Sequence, residues 1–202
     1  MKSYPSIPRN IKTGVFYAFD KLDGSNIRAE WSKKQGFYKF GTRKRLLDEN
    51  DPSFGEAIPL FMERYGDILP EIAKANRWER AVFFCEFFGP SSIAGLHDPE
   101  EDKEVLLFDV NLHKKGLLRP EEFLKVFEGV EHAPLLHHGL IDEEFVTSVR
   151  ESTLAGMSFE GVIVKGVPDK RGQGMFKIKS QAWLDVLKDR CGDNHKLFEK
   201  LK

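Results

Sequence analysis

The chain has 202 residues, 41% of them hydrophobic, and a formal net charge of −1. This favours one compact domain over a disordered chain, and it argues against broad, tight binding to nucleic acid. No run approaches the ~18 apolar residues of a membrane span, and the N-terminus has no apolar core of signal-peptide length. The two cysteines make neither a disulfide framework nor a zinc site, so we expect a cytoplasmic protein without membrane attachment.

The first elements in the chain are predicted to be strands. Phe16–Phe19 is apolar and leads into a turn at Asp23 and Gly24. The next run alternates Ile27, Ala29 and Trp31 with polar Arg28, Glu30 and Ser32, which predicts a half-buried antiparallel strand. Gly36 turns the chain, and 37–42 is the next predicted strand.

A basic segment follows, from Lys33 to Leu47. It carries six basic residues and no acidic ones, with Phe37, Tyr38 and Phe40 interleaved. Basic residues among aromatic ones suit a phosphate-bearing ligand. An ordinary solvated hairpin with core aromatics has the same composition, and for this segment alone we favour that interpretation.

Helical spacing then replaces alternation. Apolar residues recur at helical intervals over 52–76, and we expect Pro70 to separate two helices. Two apolar strands follow at 81–88 and 105–110, with helices from Pro120 and Asp142, strands at 161–165 and 175–179, and a last helix capped by Ser180. Because strands and helices do not alternate regularly, the sequence predicts an α+β fold with mostly antiparallel sheets.

The chain lacks the common phosphate-loop, dinucleotide, zinc-protease and serine-hydrolase motifs. The histidines have no metal-ligand spacing, and His137-His138 is interpreted as a loop. Several charged residues instead interrupt apolar runs, where charge is rarely stable unless it is paired or functional. Each alone is best explained as a strand residue that points to solvent. Five such charged residues in one small domain favour a functional site. Lys177 and Lys179 point to one face of a strand, where an anion such as a polyphosphate would relieve the repulsion between them. The residues are Glu86, Asp109, Glu160, Lys177 and Lys179.

Six ordered motifs resemble those of the covalent nucleotidyltransferases, the superfamily of ATP-dependent DNA ligases, RNA ligases and mRNA capping enzymes. KLDG at 21–24 resembles the KxDG nucleophile motif, and EGVIVK at 160–165 the EGxVxK motif. The others are GTR at 41–43, EFFG at 86–89, FDV at 108–110 and KIK at 177–179. DNA ligases typically place arginine five residues after the lysine. Asn26 stands there, which resembles RNA ligases of the phage T4 second-ligase type and the kinetoplastid editing ligases.

The resemblance implies an adenylation domain of the ligase type, with two mostly antiparallel sheets and flanking helices. We expect residues 1–202 to form this single domain, without an OB-fold or a large C-terminal domain. The resemblance also implies an ATP-dependent RNA ligase or RNA-ligase-like adenylyltransferase, acting in RNA repair. The cofactors would be ATP and Mg²⁺ or Mn²⁺, and the partners RNA or nicked duplex ends. A separate protein could supply substrate binding.

The resemblance further implies residue roles. Lys21 would attack the α-phosphate of ATP and form lysyl-AMP, so its amine must lose a proton. Lys177 and Lys179 would neutralise the phosphates, and Glu160 and Asp109 would hold the metal. ATP-binding roles fall to Asp23, Gly24, Asn26, Arg43, Glu86, Phe108 and Lys165, with Phe108 stacking on adenine and Glu86 bonding the ribose. Arg28 departs from the pattern and receives no role.

Three alternatives remain at this level. A small ATP-dependent DNA ligase would carry the same motifs, and a guanylyltransferase variant is a lesser possibility because the motifs do not read the base. A non-catalytic nucleotide- or RNA-binding module would share the fold. The charged residues at 21, 160, 177 and 179 are all intact, which counts against a dead domain.

Overall fold

The computed structural model describes residues 1–90, 100–167 and 174–202. They form two compact units. The first unit lies within Met1–Pro5, Gly24–Pro90 and Asp98–His132, and the second within Ser6–Asp23 and Ala133–Lys202. No helix in these described ranges is both long and apolar enough to cross a membrane.

Ten strands and six helices are described. In chain order they are β1 (Gly14–Asp20), β2 (Ser25–Ser32), β3 (Gly36–Thr42), β4 (Leu46–Leu47), α1 (Ala57–Tyr65), α2 (Ile68–Ala75), β5 (Arg80–Phe88), β6 (Glu104–Leu112), β7 (Gly116–Leu117), α3 (Pro120–Val126), β8 (Leu135–Ile141), α4 (Glu143–Arg150), β9 (Gly161–Lys165), β10 (Met175–Lys179), α5 (Gln181–Cys191) and α6 (His195–Leu201).

The first unit contains a six-stranded sheet in the order β4-β3-β2-β5-β6-β7. All neighbouring strands are antiparallel. Its core is aromatic: Phe61 of α1 packs edge-on against Phe37, with ring centroids 4.9 Å apart, and Phe37 packs on Phe83. Phe40 also packs on Phe61, which confirms that the phenyl rings of the basic segment belong to the core.

Strand β2 differs from the half-buried strand that its alternation predicts, because its polar face is buried as well. Arg28 is 6% exposed and Glu30 5% exposed. Arg28 Nη1 donates hydrogen bonds to Met1 O and Ser3 Oγ, and Glu30 accepts one from Arg80. Buried charges are stable when such partners satisfy them, so the N-terminal residues cover a face that the sequence pattern assigned to water.

The second unit contains a four-stranded antiparallel sheet in the order β10-β9-β1-β8. One face packs against α4 through a wholly apolar cluster that includes Ala18, Val149, Val164 and Phe176. The α+β class with two antiparallel sheets is therefore confirmed. His137 and His138 lie in β8 and not in a loop, because His138 stacks on Tyr17, with ring centroids 3.9 Å apart.

Helix boundaries follow the predicted caps with one exception. Asp142 Oδ1 accepts from Phe145 N at 2.9 Å, and Ser180 Oγ accepts from Trp183 N at 3.1 Å. Pro70 does not separate the helices, as the sequence had suggested. It lies in the first turn of α2, where its missing N–H has no helical partner to lose, and the break falls before Ile68.

Candidate active site

A carboxylate lies between two lysine ammonium groups in the second unit. Glu160 Oε2 is 2.6 Å from Lys21 Nζ, and Glu160 Oε1 is 2.8 Å from Lys179 Nζ. The exposed fractions of the side chains are 5% for Glu160, 6% for Lys179 and 20% for Lys21. The cluster thus holds two positive charges and one negative charge largely out of water, which is tolerable only because each is paired.

Backbone hydrogen bonds hold together the segments that carry this cluster. Lys21 N donates to Gly161 O at 2.9 Å, and Ser180 N donates to Glu160 O at 3.0 Å. Gly161 has φ +133°, and a Cβ there would come within 2.1 Å of Ile178 O. A glycine is therefore required directly after Glu160, because any side chain would force β9 and β10 apart.

Lys179 has three partners for its three N–H donors. Besides Glu160, Nζ donates to Leu201 O at 3.1 Å and lies 3.4 Å from the centroid of the Trp183 ring. Burial, followed by the charges of Lys21 and Lys177, lowers the pKa of Lys179 to about 8, although Glu160 acts in the opposite direction. Lys179 therefore loses its charge at a lower pH than an ordinary lysine and is still mostly charged near neutral pH.

The other predicted residues of the second unit lie in or next to the same sheet. Lys177 shares the strand face of Lys179, since the intervening Ile178 is buried, and its Nζ donates to Lys202 O at 3.4 Å. Lys165 is 6% exposed, with Nζ 5.0 Å from the centroid of the Phe19 ring. Asp23 is half-buried at the end of the segment that follows β1.

In the first unit, Asn26 and Glu86 are direct partners across β2 and β5. Within the described residues, Asn26 Oδ1 and Nδ2 are both buried and lack a hydrogen-bond partner. Unpaired buried polar atoms cost ~1–3 kcal/mol each, which a bound polar ligand would recover. Gly24 precedes this pair, and a Cβ there would lie 2.4 Å from Phe87 O, so a side chain does not fit.

Phe108 lies at an irregularity of β6. The pairing with β5 runs Phe84 to Asp109 and then Cys85 to Leu107, so the register skips Phe108. A bulge of this kind breaks the alternation of side chains. As a result both Phe108 and Asp109 meet Tyr4, whose ring centroid is 4.9 Å from that of Phe108 and whose hydroxyl donates to Asp109 Oδ2 at 2.8 Å.

Arg43 is exposed, and its carbonyl accepts a hydrogen bond from Ser3 Oγ at 3.3 Å. Its charge acts on Tyr4, whose pKa is raised by burial and then by Asp109, while Arg43 partly opposes that rise. Lys33, Lys34, Lys39, Lys44 and Arg45 of the basic segment are exposed as well.

The structure thus gathers the predicted residues into two sets. The second unit holds the cluster of Lys21, Glu160 and Lys179 together with Lys177, Lys165 and Asp23. The first unit holds Asn26, Glu86, Phe108 and Asp109 on β2, β5 and β6, with Gly24 before β2 and Arg43 after β3. Sequence reasoning missed Tyr4, because it precedes every motif and only its contacts mark it. Arg28 could have been noticed as a cation inside an alternating strand. The sequence does not show, however, that Met1 and Ser3 are its hydrogen-bond partners.

Comparisons with known proteins agree with this fold. An archaeal ATP-dependent RNA ligase matches with a TM-score of 0.70 and 16% identity, over 100% of this chain and 56% of that one. A Naegleria gruberi RNA ligase mutant with ATP and Mn matches with a TM-score of 0.68 and 19% identity, over 93% of this chain and 58% of that one. The same ligase with PPi gives a TM-score of 0.60 and 19% identity, over 87% and 52%. The chain therefore spans little more than half the length of these proteins.

A search of curated proteins gave no match. The sequence model of the RNA ligase family matches residues 14–179, from the first residue of β1 to the last of β10. That range includes every motif from KLDG to KIK and most of the chain. The chain belongs to the RNA ligase family.

Proposed function

We propose that this chain is an ATP-dependent RNA ligase that first adenylylates itself on Lys21. Lys21 Nζ attacks the α-phosphorus of ATP, a P–N bond forms, and the bond to the β-phosphate oxygen breaks, so that pyrophosphate leaves with the electron pair. An oxygen of a 5′-phosphate end then attacks the AMP phosphorus and forms a P–O bond, while the P–N bond breaks and the Lys21 amine leaves and takes up a proton. A 3′-hydroxyl attacks that activated phosphate and releases AMP.

The observation that carries this proposal is the contact of Lys21 and Lys179 with Glu160. An ordinary surface lysine beside a turn would point into solvent, whereas Lys21 Nζ lies 2.6 Å from the buried carboxylate of Glu160. Lys21 becomes a nucleophile once its ammonium group transfers a proton and gives up that contact. Glu160 Oε2 is within proton-transfer distance of Nζ.

Lys177 and Lys179 supply the positive charge that phosphoryl transfer requires. Their Nζ atoms already donate to carbonyl oxygens at the end of α6, and phosphate oxygens are stronger acceptors of the same kind. Lys165, which is buried, adds a third cation on the neighbouring strand.

For the nucleotide, we assign adenine stacking to Phe108 and ribose binding to Glu86. Asn26 would bond the ribose or a phosphate, because its buried amide atoms lack partners among the described residues. Gly24 lets the chain pass close to Phe87 without a side chain. Arg43 is exposed and suited to ribose or phosphate, and Asp23 is assigned to ATP binding with these residues.

A divalent metal fits Glu160 better than Asp109. Magnesium is commonly held by one or two carboxylates together with substrate phosphates, and a bound Mg²⁺ or Mn²⁺ would offset phosphate charge. Both oxygens of Asp109 already accept hydrogen bonds, from Tyr4 and from Val110 N, whereas those of Glu160 meet exchangeable ammonium groups. In the described part of the chain no cluster of three or more His, Cys, Asp or Glu could hold a metal alone.

We further propose that the exposed basic residues of 33–45 contact RNA phosphates without reading sequence. A partner protein or further domain would complete the RNA site, since the similar ligases are longer. Both cysteines are buried free thiols, which supports a reducing, cytoplasmic location.

The test is label transfer from ATP to protein. With Mg²⁺ and α-labelled ATP, we expect label on the denatured protein that is stable to base and labile to acid. It should be lost in Lys21→Ala and kept in Lys188→Ala, which removes an exposed lysine of the same unit. Equal labelling of wild type and Lys21→Ala would falsify the proposal, and labelling from GTP alone would indicate a guanylyltransferase. Nicks with RNA or DNA at the 3′-hydroxyl end then separate an RNA ligase from a DNA ligase.

A further inference from the structure

Tyr4 lies against the residue to which we assign adenine stacking. Its ring meets Phe108 edge-on, at 4.9 Å between centroids and an interplanar angle of 87°, and it also packs on Phe84 at 5.0 Å. The side chain is 4% exposed, so these contacts are buried. Its hydroxyl donates to Asp109, the residue after Phe108.

We propose that Tyr4 is a positioning residue for nucleotide binding, which fixes the Phe108 ring for stacking on adenine; this rests on the proposed function. Tyr4 acts through Phe108 and does not itself contact the reacting atoms.

The register of β5 and β6 skips Phe108, so packing and not regular strand pairing sets the position of its ring. Phe84 of β5 stacks on that ring, with centroids 6.3 Å apart and an interplanar angle of 24°. Tyr4 packs edge-on against the Phe108 ring, and its hydroxyl donates to the carboxylate of the neighbouring Asp109. Asp109 is only 2% exposed, so losing that donor would leave a buried charge less well satisfied.

The segment that carries Tyr4 is itself tied down. Arg28 Nη1 donates to Met1 O at 3.1 Å and to Ser3 Oγ at 2.7 Å, and Ser3 Oγ donates to Arg43 O at 3.3 Å. Residues 1–4 thus touch two of the predicted ATP-binding segments, at Arg43 and at Phe108. This gives Arg28, which fits no family motif, the task of holding the N-terminal segment in place.

The test measures ATP affinity in a Lys21→Met background, which cannot form lysyl-AMP. Tyr4→Phe removes the hydroxyl and keeps the ring, and should weaken ATP binding about fivefold, the equivalent of ~1 kcal/mol for one hydrogen bond. Tyr4→Leu also removes the edge-on ring contacts and should weaken it about thirtyfold. AMP should show the same losses, whereas inorganic tripolyphosphate should bind all variants equally because it has no adenine.

The matched control is Tyr65→Phe. Tyr65 also has a buried ring, and its hydroxyl donates to Glu131 O. The same hydroxyl accepts from the backbone N–H of Leu107 on β6, the strand that carries Phe108. Its loss should lower stability in a urea titration but leave ATP affinity within about twofold. If Tyr65→Phe weakens ATP binding as much as Tyr4→Phe, general loosening of β6 explains both and the proposal fails.

A double substitution tests whether Tyr4 acts through Phe108. With Phe108→Ala present, Tyr4→Leu should weaken ATP binding by less than about twofold further. A full thirtyfold loss in that background, or no loss in either Tyr4 variant alone, overturns the proposal. Failure of the proposed function is distinct, because the wild-type chain would then take up no label from ATP.

Discussion

Glu160→Gln should lower the pKa of Lys179. The substitution keeps an oxygen that can accept a hydrogen bond but removes the negative charge that lies 2.8 Å from Lys179 Nζ. At an effective dielectric constant of ~20, that contact corresponds to a Coulomb energy of ~6 kcal/mol, which is an upper limit. Observed shifts from one adjacent charge are ~1–3 pKa units, or ~1.4–4 kcal/mol. The pKa of Lys179, about 8 in the wild type, should therefore fall to between about 5 and 7.

The assay is a pH titration followed by NMR of protein labelled with ¹³C at lysine Cε. Lys179→Arg identifies the Lys179 signal. Glu71→Gln is the control, since it removes an exposed carboxylate that pairs with Lys74 in the first unit, and the Lys179 titration should then stay unchanged. The reasoning is refuted if Lys179 in the wild type titrates near the ordinary lysine pKa of 10.5. It is also refuted if Glu160→Gln does not lower the pKa of Lys179.

Four further outcomes are expected. Gly161→Ala should destabilise the second unit by several kcal/mol in a urea titration, because the new Cβ meets Ile178 O; a cost below ~1 kcal/mol would contradict this. Ser180→Ala should cost ~0.5–2 kcal/mol through loss of the α5 cap, and unchanged stability would show that the cap contributes nothing. The pKa of Lys179 is lower in the folded chain than in the unfolded one, so the folded state binds fewer protons between about pH 8 and 10.5 and stability rises there; Lys179→Met should lack this rise. Pyrophosphate should speed amide hydrogen exchange in α6, because Lys179 must release Leu201 O to bind a phosphate; slower exchange would refute that displacement.

The sequence predicted what depends on local pattern. The caps at Asp142 and Ser180 were correct because a capping side chain bonds a backbone N–H three residues away. The shared face of Lys177 and Lys179 followed from alternation in β10, and the family motifs indicated Glu160. Its contact with Lys21 spans 139 positions along the chain, which no local pattern measures.

Errors arose where distant residues changed a local preference. β2 looked half-buried because nothing near it in sequence could satisfy Arg28 and Glu30, yet the N-terminal residues and Arg80 do. Pro70 is compatible with the first turn of a helix, so only packing places the break before Ile68. Tyr4 could not be found because its importance lies wholly in tertiary contacts.

The skipped position in β6 bears on why Phe108 is present at all. In a regular strand, adding or removing one residue turns every later side chain to the other face, so strand length is tightly constrained. Deleting Phe108 would instead bring Leu107 and Asp109 into an unbroken pairing with Cys85 and Phe84. The strand pairing could form without this residue, so what Phe108 adds is not a backbone pair but a ring, placed against Tyr4 and Phe84 and next to Asp109.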